Sequence, residues 1–136
     1  MNLYTNLKFV LFMTKPLYFS HDTSARNDIK LQRLKQVMGF EGIGIYWCLL
    51  EILYDNNGKL SNADVDVYAY SLQADPEKLL QVLNKFGLFV KQSGEYYSES
   101  ANKRLGKMNE KSEKAKQAAT ARWTKKESVN FKEIQK

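Results

Sequence analysis

Apolar residues recur at helical spacing through much of the chain. Leu31, Leu34 and Met38 share one face at 100° per residue, and Arg26, Lys30 and Arg33 form a neighbouring basic stripe. This predicts a helix over residues 28–38, capped by Asn27 and stopped by Gly39. Over residues 41–54 apolar side chains fall nearly all round the helical wheel, which predicts a central helix packed on several sides. Gly39, Gly42 and Gly44 occur in the order Gly-x-x-Gly-x-Gly with no strand before them, so a helix stop and close packing explain them better than a phosphate-cradling loop.

Asp55-Asn-Asn-Gly58 is a dense turn signal, and Lys59-Leu60 after it can form a very short strand. Ser61 or Asn62 is placed to cap a third helix holding Val65, Tyr68, Ala69 and Leu72. Asp75 followed by Pro76 is the strongest helix start in the sequence. In this fourth helix Leu79, Val82, Leu83 and Phe86 share one side, and Gly87 ends it. Residues 88–91 and 95–98, joined by Gln92-Ser93-Gly94, read as a β-hairpin. From Glu99 onward the chain is rich in helix formers, with only Leu105, Met108 and Trp123 available to pack; disorder is expected beyond Lys125.

The chain has 136 residues and a formal net charge of +6, enough for one domain with its own hydrophobic core. That charge is unevenly spread: residues 1–100 hold 10 basic and 11 acidic side chains, and residues 101–136 hold 11 and 4. The cationic character is therefore a property of the tail, and it points to an acidic partner. A single cysteine, Cys48, excludes an internal disulfide, and a single histidine, His21, removes most metal sites and two-histidine catalysis. A reducing cytoplasmic location is expected. No uninterrupted apolar run reaches a membrane span of roughly 18–20 residues, residues 7–13 being interrupted by Lys8, so no membrane association is expected. Met13 opens Met-Thr-Lys-Pro and is a plausible start, which makes residues 1–12 an extension.

Helix, helix, turn with a short strand, two closely joined helices and a hairpin is the element order of a winged helix-turn-helix. The expected fold is mainly α with a small β-hairpin and a C-terminal helical extension. Its parts are a winged-helix domain over residues 13–100, a basic helical extension over 101–125 and a disordered tail over 126–136. The reading helix, residues 76–86, is the second of the close pair.

Several segments also carry a resemblance. Tyr18-Phe-Ser-His-Asp22, Ala25-Arg-Asn-Asp28, Gly42-Ile-Gly-Ile-Tyr-Trp47 with Leu49-Leu-Glu51, and Lys114-Ala-Lys-Gln-Ala-Ala-Thr-Ala-Arg-Trp123 resemble the N-terminal domain of phage replisome-organiser proteins, relatives of DnaD-like primosome components. The resemblance spans residues 16–123. It implies a winged-helix fold and a role in initiating phage or prophage DNA replication, with DNA and replication proteins as partners. The chain ends soon after the basic tail, which departs from the longer organisers and puts helicase-loader recruitment in doubt.

Candidate DNA contacts fall in three places. The reading helix offers Lys78, Gln81, Asn84 and Lys85, amides for adenine edges and lysines for guanine or phosphate, although Asp75 and Glu77 cancel both lysines. The hairpin tip offers Lys91. The tail offers Lys103, Arg104, Lys107, Lys111, Lys114, Lys116 and Arg122, whose binding would be salt-dependent and blind to sequence. Trp123 can stack on a base or dock the helix against protein, docking being the commoner fate of such a residue.

His21, Asp22 and Asp28 are too few for a metal or acid–base site and read as capping and hydrogen-bonding groups near the first helix. Asp64 and Asp66 point to different helix faces. No nucleophile elbow, Walker-type loop or Cys-x-x-Cys occurs, so neither an enzyme nor a cofactor is expected. The expectation is a non-enzymatic DNA-binding protein assisting replication initiation. A protein-interaction or homo-oligomerising winged helix, or a transcriptional repressor, is the alternative.

Overall fold

A computed structural model describes residues 17–134 of the protein, with side chains described through residue 127. The chain divides into two compact units, residues 1–102 and 103–136. The extension assigned to residues 1–12 lies outside the described residues.

The first regular element among the described residues is a 3-10 turn, Ala25–Asn27, that leads into α1, Ile29–Asp55. Asp28, not Asn27, caps this helix: its side chain accepts from the N–H groups of Lys30 and Leu31 at 2.9 and 3.2 Å. Asn27 is instead used by the turn, donating its N–H to Ser24 O. Gly39 breaks α1 as expected, at φ 66° and ψ −160°, a conformation essentially reserved for glycine. Leu34, Leu49 and Leu53 are completely buried, so α1 is the core helix. By length and composition it is also apolar enough to cross a membrane, its best window having a mean hydropathy of 1.4. Charged residues punctuate the segment, which is why no uninterrupted apolar run marks it.

After α1 come β1, Leu60–Ser61, a 3-10 turn, Asn62–Asp64, and α2, Val65–Leu72. Neither Ser61 nor Asn62 caps α2. The intervening turn moves the cap position to Asp64, whose side chain makes no capping bond. The Ser61 N–H donates to Tyr68 Oη instead. α3, Pro76–Asn84, starts as expected, with Asp75 accepting from the Glu77 N–H at 2.9 Å. It buries Leu79, Val82 and Leu83 but ends two residues earlier than the pattern indicated, so Phe86 lies beyond it.

The hairpin is β2, Val90–Gln92, and β3, Glu95–Tyr97, joined by Ser93 and Gly94 alone. Both turn residues have positive φ, 53° and 77°. That is the requirement of the two-residue turn whose twist suits a hairpin. β1 pairs antiparallel with β3, giving the order β1-β3-β2. The fold is therefore mainly helical with a small antiparallel sheet, a winged helix-turn-helix whose wing is β2–β3.

α4, Glu99–Ile134, starts in the first unit, where Ala101 is buried and donates its N–H to Ser98 Oγ, and makes up the described part of the second. It continues past Lys125, where disorder was expected. After Gly106 no glycine or proline interrupts its run of helix-forming residues.

Candidate nucleic-acid interface

The residues expected to read DNA are all on or beside α3, but the fold uses some of them internally. Lys78 Nζ lies 2.9 Å from Glu41 Oε2 of α1. This hydrogen bond and the carboxylate charge hold the Lys78 ammonium above its ordinary pKa, so it remains a cation engaged with Glu41. Asn84 accepts from the buried Tyr96 hydroxyl at 2.9 Å, which occupies its side-chain oxygen. Gln81 is half-buried, and Lys85 is exposed. Of the four, Lys85, the exposed Asn84 with its amide nitrogen and part of Gln81 face solvent, while Lys78 is paired with α1.

On the wing, Lys91 lies opposite Tyr96 in the strand register and its ammonium sits 5.6 Å from that ring's centroid. A cation over an aromatic face is restrained without being neutralised. Ser93 and Gly94 are exposed at the tip.

Residues 19–21 run along α1. Phe19 stacks on Tyr54 at 4.5 Å between ring centroids, and His21 stacks on Trp47 at 4.1 Å. His21 thus serves packing; among the described residues no capping bond of its side chain is found. No group of three or more His, Cys, Asp or Glu side chains that could hold a metal ion occurs among the described residues. Cys48 is half-buried, and burial, then the Glu51 charge, push its thiol above the usual range, away from the reactive thiolate.

In the second unit Lys103, Lys107, Lys111, Lys114, Lys116 and Arg122 are exposed, while Arg104 is half-buried and engaged in an interaction. Helical geometry sorts them. At 100° per residue Lys103, Lys107, Lys111, Lys114, Arg122 and Lys125 fall within an arc of about 100°; Glu113 and Glu127 lie well outside it, and Glu110 borders it about 20° beyond Lys103. Lys116 also lies outside this stripe, roughly 120° from its nearest edge. Trp123 is 67% exposed within the chain. The helix carrying it has few apolar partners, and hydroxyls such as Thr120 Oγ1 bond back to their own helix.

Sequence reasoning missed the role of Lys30. Its Nζ donates to Gly87 O at 3.0 Å, bringing the basic edge of α1 to the end of α3. The stripe of Arg26, Lys30 and Arg33 was visible in the spacing; its neighbour was not, because 57 residues separate the two partners.

The order of helices and strands and the exposed wing define this as a winged-helix domain. The chain belongs to the Lin1244/Lin1753-like N-terminal domain family, whose family model matches residues 18–101. No curated protein and no solved structure matches the chain.

Proposed function

We propose that the protein is a non-enzymatic, cytoplasmic DNA-binding factor of phage or prophage origin that assists replication initiation in the manner of a replisome organiser. The single observation that carries DNA binding is the segregated cationic stripe of α4. Six basic side chains gathered on one face of a helix can meet a phosphate strand together, while the acidic Glu113 and Glu127 lie elsewhere on the helix. The winged-helix body supplies positioning through α3 and the wing. The replication role follows from the resemblance of the motifs to replisome-organiser proteins.

The test is duplex affinity against salt for the full chain and for a full-length variant with Lys103, Lys107, Lys111 and Lys114 replaced by Gln. The slope of log affinity against log salt is expected to flatten by about three to four units, close to 0.9 for each phosphate that is no longer neutralised. Equal slopes would overturn the tail assignment, and strong preference for one duplex sequence would move the protein to the repressor class.

A protein-interaction module is the second reading. It is favoured by α2, which leaves Val67 61% and Tyr70 87% exposed. Sedimentation over a concentration series tests self-association: a concentration-independent monomer mass overturns the homo-oligomer form of this reading.

A further inference from the structure

Two bonds fix where the start of α1 lies against α3. Lys30 Nζ reaches Gly87 O just past the C-terminal end of α3, and Glu41 Oε2 meets Lys78 Nζ in the first turn of α3. Ascending the chain from 30 to 41, across the break at Gly39, therefore means descending from 87 to 78, so the first part of α1 starts beside the C-terminal end of α3 and the chain leaves it beside the first turn.

The border between them is basic. Lys30 and Arg33 are exposed and follow one another at i, i+3, while Leu31 and Leu34 are buried. At the C-cap of α3, where the backbone is still near-helical, Lys85 lies two turns beyond Lys78 and only about 20° round from it, hence on the same flank towards α1. Among the described residues neither Arg33 nor Lys85 has a carboxylate partner. The near-zero charge of residues 1–100 conceals this strip, because the segment from 62 to 77 carries Asp64, Asp66, Asp75 and Glu77 and no basic residue.

We propose that Lys30, Arg33 and Lys85 form a phosphate-binding strip for duplex DNA, placing residues 29–38 over the backbone beside the groove that α3 enters. The proposal rests on the DNA-binding reading above. A helix with its side chains is about 10–12 Å across and fills a major groove about 12 Å wide. Side-by-side helices pack with axes about 8–10 Å apart, so a neighbour of the inserted helix sits over the adjoining sugar-phosphate strand. Gly87 O uses one of the three donors of the Lys30 ammonium, leaving two for phosphate oxygens and holding the chain in place. Arg33 supplies a fork suited to phosphate.

The experiment uses the full-length protein and a fluorescently labelled duplex, with anisotropy titrations over a salt series. Arg33→Gln is the deciding variant, since Arg33 makes no hydrogen bond among the described residues whose removal would loosen the fold. Lys35→Gln is the control: it removes an equal charge from the same helix, roughly 160° round from Arg33, where the ammonium lies over the Phe40 ring at 4.8 Å.

Arg33→Gln is expected to flatten the salt slope by about one unit, Lys30→Gln with Arg33→Gln by about two, and Lys35→Gln not at all. A slope unchanged by Arg33→Gln, or one lowered equally by Lys35→Gln, overturns the strip while the DNA-binding reading stands. Absence of duplex binding by the unaltered chain overturns both. Thermal melts of each variant confirm that the fold is retained.

Discussion

Three glycines in one helix show how differently a single residue type is used. Gly39 has nothing within 4 Å of where a Cβ would stand, but its backbone is one that other residues avoid. Gly42 is helical, yet a Cβ there would lie 2.6 Å from Met38 Cβ and 3.1 Å from Leu34 Cδ1. Gly44 has open space and ordinary helical backbone. Substitution by Ala should accordingly destabilise by about 1–3 kcal/mol at Gly39 through strain and by about 1–3 kcal/mol at Gly42 through overpacking. At Gly44 it should stabilise by about 0.5–1 kcal/mol through helix propensity. Urea denaturation of the three variants checks the order, and a destabilised Gly44→Ala would contradict it.

At the scale of elements, the Lys78–Glu41 pair sets how much charge α3 presents. Glu41→Gln should leave stability almost unchanged, since exposed pairs contribute little. It should also steepen the salt slope of duplex binding by up to about one unit as Lys78 becomes available to phosphate. An unchanged slope in anisotropy titrations would show that Lys78 never reaches DNA.

What could be read in advance follows the range of the forces involved. Gly39, Asp75-Pro76 and Ser93-Gly94 act on their own backbone, so the helix stop, the start of α3 and the wing turn were all legible. The caps of α1 and α2 were misplaced because short 3-10 turns intervene, and composition does not distinguish a last turn residue from a cap. The candidate interface was legible in its residues but not in their pairing. Glu41 and Lys78 stand 37 residues apart, and only the fold brings them together.

For the whole molecule, charge has two separate arrangements, one in each unit. On the DNA-binding reading proposed above, the α4 stripe of the second unit makes position, not number, the determinant of affinity. Lys107→Gln should flatten the salt slope by about one unit and Lys116→Gln by clearly less, although each removes one charge. Equal effects would mean that the tail acts as a diffuse cationic cloud with no defined face. The comparison is measured on full-length chains with one duplex.

The two anchors that α1 makes along α3 have a further consequence for how this chain can vary. Adding or deleting one residue between positions 31 and 38 rotates everything before it by about 100° relative to the core. Lys30 would then miss Gly87, and Leu31 would turn towards water. That stretch is therefore locked in length.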